Sequence, residues 1–295
     1  MAAVRRALAQ PSPPGTITQE AFDRDDGHLK RLVNLRTGDR ARPEDLWEYT
    51  QDLRYTDIQP ELLRYLLPLC LQAWHDHLRG AAGYGGFVEH FYPVLADRHV
   101  FDSHLTRDQA AAVSAFMRQT ILEEMDDQRG LTYMGMRARP YRWIRALTTY
   151  GVLLPDIDSL WASWWALGTT GRAVSSLQYI SALMYLDDRN PVFAPWTPEG
   201  GGGPPCLWEF DGHLYAHRWL KSNVDFLRRT LTMAAVTNVL ERAASQLING
   251  PEHEIASRML ADVPMRTEML AARCAELPTL LATTQEPGTV LRWST

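Results

Sequence analysis

The sequence predicts a mainly helical, all-α protein, an irregular multi-helix assembly with one small β-hairpin near residues 206–217. Three observations carry this prediction. Apolar side chains recur at three- and four-residue steps from Leu62 to Trp74, which is the spacing of one helix face. Thr106 and Gln109 match the capping box that begins a helix. The chain has no fixed repeat of about 20 to 50 residues, which argues against a solenoid.

Proline and capping residues indicate where the first helices begin. Pro43 is followed by two acidic residues, and Pro60 by one, which is typical of a first helical turn. The second of these helices contains Pro68, which predicts a kink or a break because proline lacks a backbone N–H. The capped helix that begins at Thr106 keeps an apolar face to about residue 125.

The second half of the chain continues as helices around one region of different character. Glycines and prolines over 190–205 predict a loop, and Asp211-Gly212 lies between two short apolar and aromatic runs, which favours a hairpin. Apolar periodicity predicts further helices near 140–151, 156–167, 172–186, 218–248, 251–262 and 265–283.

These elements suggest a simple domain organisation. We expect a flexible tail over 1–15, an N-terminal helical region over 16–130 and a C-terminal helical region over 131–295, with the loop at 190–205 inside it. One continuous domain is the alternative, because the only boundary signal is the end of the capped helix near Gly130.

Composition limits the classes of protein. Of the 295 residues, 45% are apolar and 22% are charged, which is ordinary for a globular chain, and the net charge of −5 gives no general basic footprint for nucleic acid. Only two of the 30 basic residues are lysines. A GC-rich genome explains that bias; arginines kept for bidentate contacts are the alternative.

The sequence also predicts a cytoplasmic protein. Residues 1–15 contain prolines and no apolar core of a signal peptide, and no run of 18 apolar residues suits a membrane span. Cys70, Cys206 and Cys274 stand far apart in no pairwise motif, which fits small core residues in a reducing compartment.

Histidine clusters invite a metal hypothesis, which the spacing argues against. His213 and His217 could share a metal on a helix, but Leu214 stands where the zinc-protease motif has glutamate. On a hairpin strand the two would lie about 13 Å apart. Two further groups mix histidine and aspartate, namely His75, Asp76 and His77, and His99, Asp102 and His104. We predict no metal at any of them.

No cofactor motif appears either. Asp126-Asp127 and Asp187-Asp188 lack the third aspartate of the magnesium motif of isoprenoid synthases. The chain has no nucleophile elbow, phosphate-binding loop or dinucleotide fingerprint, so we predict no cofactor and assign no catalytic residue.

Two surfaces are candidates for binding a protein partner. The acidic run at the end of the capped helix is either an ordinary solvated face or a docking surface for a basic partner; it comprises Glu123, Glu124, Asp126 and Asp127. Three tryptophans spaced i, i+3 and i+4 form either a core face or a partner surface; they are Trp161, Trp164 and Trp165.

Part of the chain resembles a known group of proteins. The matching pieces are Leu46-Trp47-Glu48-Tyr49, then Glu61-Leu62-Leu63-Arg64-Tyr65-Leu66-Leu67-Pro68, and Leu105-Thr106-Arg107-Asp108-Gln109 with Ala112, Val113 and Phe116. The stretch over 46–125 resembles a bacterial family of helical proteins of unknown function. Proteins of this sort resemble the immunity and accessory proteins of toxin loci. The resemblance implies a helical fold and no catalytic residue.

Three functions follow as hypotheses. The first is a cytoplasmic immunity protein that binds and neutralises a cognate protein toxin, because such an inhibitor needs only a complementary surface. The alternative is an enzyme whose site is assembled around 200–217, with Asp211, His213, Tyr215 or His217 as contributors. A structural or regulatory helical protein with another partner is the third.

Overall fold

The computed structural model describes residues 1–8, 12–17, 27–36, 39–80, 83–129, 139–185, 218–250 and 252–283. All regular secondary structure in these ranges is helical, which confirms the predicted fold class. The predicted loop over 190–205 and hairpin over 206–217 lie outside the described residues.

The chain divides into two compact units, Met1–Thr120 and Ile121–Thr295. The sequence placed its boundary near residue 130, whereas this division falls inside the capped helix. The helices of the first unit, with the last one extending beyond it, are α1 (Ala2–Leu8), α2 (Gly27–Val33), α3 (Pro43–Tyr55), α4 (Pro60–Leu78), α5 (Gly85–Asp97), α6 (Val100–Ser103) and α7 (Arg107–Asp126).

The core of the first unit forms around α3, α4 and α5. Helix α3 packs against α2 and α5, and α4 packs against α1 and α5. The predicted stripe of α4 is buried along its length, and Trp74 at its end donates its indole N–H to the Tyr92 hydroxyl. Helix α1 lies in the stretch for which the sequence predicts a flexible tail, and it buries Val4 and Leu8.

Pro68 does not break α4, which continues from Pro60 to Leu78. Proline inside a helix costs about 3 kcal/mol. Leu66, Leu67 and Leu71 around it are fully buried, and each contributes about 2 kcal/mol by leaving water. Packing of the stripe therefore outweighs the cost of the proline.

In the part of the second unit that the structure describes, the end of α7 is followed by six further helices. They are α8 (Arg139–Leu153), α9 (Ile157–Trp165), α10 (Thr170–Met184), α11 (Lys221–Thr230), α12 (Met233–Gln246) and α13 (His253–Leu281). The sequence predicted one helix over 218–248 where the structure has two, because Thr232 caps α12 by accepting from the backbone N–H of Ala235. Conversely, two predicted helices form the single long helix α13, which contains Pro264.

Helix α10 is the centre of the second unit. It packs against α8, α9, α12 and α13, and every residue from Ala173 to Met184 is buried. A helix that is buried on all sides in this way forms the interior of its unit. Two of its buried polar side chains accept hydrogen bonds from neighbouring helices: Ser175 Oγ accepts from Trp164 Nε1 at 2.8 Å, and Gln178 Oε1 accepts from Trp143 Nε1 at 2.7 Å.

None of the helices in the described part of the chain combines the length and the hydropathy that a membrane crossing requires.

Candidate functional site

The four carboxylates at the end of α7 do not form one surface. Glu123 and Asp127 are exposed, Glu124 is buried and Asp126 is half-buried. Successive residues of a helix point about 100° apart, whereas residues four apart share a face. The side chains of Glu123 and Asp127 therefore lie on the outer face, and the other two carboxylates turn toward the protein.

Glu124 is part of the interior of the second unit. Its side chain is 7% exposed, and Gln128 Nε2 donates to both its Oε1 and its backbone oxygen at 3.0 Å. A buried carboxylate needs such hydrogen bonds because it has lost its water. Glu124 thus cannot belong to the predicted docking surface, and this part of the prediction is corrected.

Asp126 joins the end of α7 to the start of α10. Arg172 donates from Nε to Oδ1 at 2.7 Å and from its second terminal nitrogen to Oδ2 at 2.9 Å, and the Thr169 hydroxyl donates to Oδ1 at 2.6 Å. Thr169 also caps α10 by accepting from the backbone N–H of Arg172. A two-pronged arginine–carboxylate pair fixes both position and orientation.

This pairing removes an electrostatic conflict in the sequence. A carboxylate at the C-terminal end of a helix opposes the helix dipole. At Asp126 the carboxylate instead meets a guanidinium and the N-terminal turn of α10, where negative charge is stabilised. The Asp126 carboxylate therefore stabilises the start of α10 and does not belong to a surface for a partner protein.

The aromatic face of α9 lies in the core of the second unit. Trp161, Trp164 and Trp165 are 1%, 0% and 7% exposed. The rings of Trp161 and Trp164 pack on Tyr179 of α10 at centroid distances of 5.5 and 5.3 Å, and the ring of Trp165 packs on that of Trp161 at 4.9 Å. Edge-to-face packing of this kind is typical of interiors. These rings therefore form part of the core and do not offer a surface to a partner. Of the two interpretations of their spacing, the structure agrees with core packing.

Of the histidines in the predicted clusters, His75 has structural partners and His104 has a lowered pKa. His75 stacks on the ring of Phe116 and lies 3.2 Å from Asp76 Oδ1. Burial lowers the pKa of His104, with the neighbouring cations Arg98 and Arg64 acting in the same direction. Among the described residues no three acidic, histidine or cysteine side chains converge to hold a metal ion.

Two of the three thiols are buried. Burial raises the pKa of Cys274 to about 12 and also raises that of Cys70 well above its ordinary value. A protonated, enclosed thiol is a poor nucleophile. Cys206, Asp187-Asp188 and the residues of the alternative enzyme site over 200–217 lie outside the described residues, so that alternative stays a prediction.

The sequence did contain signals that were missed. Thr169 and Arg172 stand at the start of α10 in a position to cap it, and the residues from Lys30 to Arg42 include five cations and only one acid. The first is a local capping pattern and the second a local excess of positive charge, and the structure shows that they belong to the start of α10 and to the region around α2 and α3.

The chain matches no protein-family model, no curated protein and no solved structure. The resemblance of 46–125 to a helical bacterial family stays a prediction.

Proposed function

We propose that this chain is a cytoplasmic protein-binding protein of the immunity type, which neutralises a cognate protein toxin by docking on it. The supporting observation is the pair of exposed carboxylates at the C-terminal end of α7, Glu123 in its last turn and Asp127 directly after it. Two like charges on one helix face attract a basic surface, and complementary charge both speeds encounter and selects the partner.

The helix beneath these two carboxylates is held rigidly. Asp126 is clamped by Arg172 and Thr169, and Glu124 is tied by Gln128. Binding loses less entropy when the contacting groups are already fixed in place. The internal bonds of the two inward carboxylates thus support the outward presentation of the other two.

The proposed docking surface is smaller than the one that the sequence predicted. It consists of Glu123 and Asp127 alone, since Glu124, Asp126 and the three tryptophans of α9 have roles inside the second unit. A partner with arginine or lysine side chains complementary to this face is the expected ligand.

A rescue experiment tests the proposal. The chain is co-expressed with the toxic product of its neighbouring gene, and the double variant Glu123→Arg/Asp127→Arg is compared with Glu241→Arg/Glu268→Arg. The control changes two exposed glutamates of α12 and α13 to the same residue. We expect the first variant to lose rescue and to bind the toxin at least about tenfold more weakly, while the control rescues normally. Equal rescue by both variants would refute the proposal.

A further inference from the structure

The first unit contains an open cleft between α2 and the start of α3. It is a depression that is largely open to solvent, with a volume of about 390 Å³. Six residues line it, namely Lys30, Arg31, Asn34, Leu35, Arg42 and Asp45.

The residues around the cleft carry a net positive charge although the chain is acidic, while the surface that lines the cleft is mostly apolar. Three of the six side chains are cations and one is a carboxylate, so the cleft carries a net charge of +2 in a protein whose net charge is −5. Arg36 and Arg40 also lie between Lys30 and Arg42, but Asp39 lies in the same stretch and Arg40 Nε is 3.5 Å from Asp76 Oδ2, so the excess positive charge rests on the cleft residues themselves. Cations gathered at one concave place concentrate the field and attract anions.

The one carboxylate of the cleft, Asp45, is paired with a cation of the same cleft, Arg31. Asp45 is 3% exposed, and Arg31 donates to it from Nε at 3.0 and 3.1 Å and from a terminal nitrogen at 2.6 Å. A buried carboxylate held this way fixes the guanidinium in one orientation. Arg31 therefore has a fixed position, and its charge is balanced by that of Asp45. The charges of Lys30 and Arg42 make up the excess positive charge of the cleft.

Lys30 and Arg42 are exposed at the cleft, and Leu35 adds a half-buried apolar wall. The nearest acidic competitor is Glu44, whose Oε2 lies 3.7 Å from Arg42 Nε. Both of those side chains are largely in water, where such a pair contributes little. An anion of higher charge can therefore displace Glu44 from Arg42.

We propose that this cleft binds the phosphate group of a small phosphate monoester. A phosphate monoester carries about −1.5 to −2 charges near neutral pH, which matches the excess of two cations, whereas a single carboxylate matches only one. Arginine and lysine are the usual protein ligands of phosphate. Leu35 can contact the organic part of the ester, so an ester binds more tightly than inorganic phosphate.

Calorimetric titration of the full chain with phenyl phosphate and with inorganic phosphate, at constant ionic strength, tests this inference. We expect one saturable site, with phenyl phosphate the tighter ligand. Lys30→Gln/Arg42→Gln should weaken phenyl phosphate at least about tenfold, because each charge-assisted contact is worth about that factor or more. Glu44→Gln should tighten binding, since it removes the competing carboxylate.

Lys221→Gln/Arg229→Gln is the matched control. It removes one exposed lysine and one exposed arginine from α11, so the change in net charge is the same. If this variant still binds phenyl phosphate normally, the result supports the cleft as the binding site. The inference is overturned if neither ligand binds below about 10 mM, if both double variants weaken binding equally, or if a single-stranded oligonucleotide binds with an affinity that grows with its length. The toxin-docking proposal concerns the other unit and is unaffected by either result.

Discussion

Gly171 of α10 packs directly on the backbone carbonyl of Asp126 at the end of α7, so closely that a β-carbon at Gly171 would overlap that oxygen. The second contact is also backbone, the carbonyl of Met125. Neither can move aside as the end of a flexible side chain would. The close approach of these two helix ends therefore requires glycine.

We expect Gly171→Ala to lower the free energy of unfolding by about 2 to 3 kcal/mol, because the helix ends must separate to admit the methyl group. Urea denaturation measures this. Gly168→Ala is the control, since its added β-carbon meets nothing nearer than a terminal nitrogen of Arg172 at 3.9 Å. A loss of the same size at Gly168 would show that helix packing at Gly171 is not the cause.

Asp126→Asn tests the ion pair that joins the same two helices. The amide keeps the size of the side chain but loses the charge-assisted bonds from Arg172, so we expect a loss of about 1 to 2 kcal/mol in the free energy of unfolding. Asp127→Asn, one residue further and exposed, should change stability by less than about 0.5 kcal/mol. If the two variants unfold alike, the pair contributes nothing measurable.

Local hydrogen bonding explains which elements could be predicted from the sequence. At the start of α7 the backbone N–H of Thr106 donates to Gln109 Oε1 at 2.9 Å, and that of Gln109 donates to Thr106 Oγ1 at 3.3 Å, as the capping box predicts. Both partners lie within four residues. The cap at Thr232 is just as local, because its partner is the backbone N–H of Ala235, and it divides the predicted helix over 218–248 into two.

The candidate site could be predicted only in part, because its bonds join distant residues. Periodicity alone gives Glu123 and Asp127 a shared face, but the inward role of Asp126 depends on Arg172, which lies 46 residues away in sequence. The same holds for the cleft, where Arg31 meets Asp45. The helical spacing of residues in a sequence does not predict which other helix a given face will pack against.

The abundance of arginine also has a structural use that the sequence did not show. Arg273 is 5% exposed and donates to the backbone oxygens of Leu183 and Tyr185 at 3.1 and 2.9 Å, and Arg266 donates to that of Met184 at 3.1 Å. The last carbonyls of a helix have no partner within it. Arginines of α13 thus supply donors to the buried end of α10.

Arg273→Met should therefore be costly. Methionine fills the space of the side-chain stem but leaves carbonyls of α10 buried without these donors, so we expect a loss of about 3 kcal/mol or more in the free energy of unfolding. Arg266→Met, which removes one such bond and a contact 4.4 Å above the ring of Tyr185, should cost about 1 kcal/mol. Similar losses in the two variants would contradict the role assigned to Arg273.

The buried thiols give a prediction that involves pH. With the pKa of Cys274 raised to about 12, roughly one molecule in ten thousand carries the thiolate at pH 8. In a Cys206→Ser background, a disulfide reagent should therefore leave Cys70 and Cys274 unmodified in the folded protein and should modify both after unfolding. Rapid modification of the folded protein would show that one of these thiols is accessible.

Stability should follow the same ionisation at alkaline pH. In the unfolded chain the thiol of Cys274 ionises near its ordinary pKa of 9.0, whereas in the folded protein it stays protonated up to about 12. Its contribution to stability is therefore complete below pH 9 and is lost as the pH rises toward 12. Cys274→Ala should accordingly show a shallower decline of the free energy of unfolding over this range. Cys70 and the phenols of Tyr49, Tyr84, Tyr179 and Tyr185 contribute to the remaining decline, because burial raises their pKa values as well.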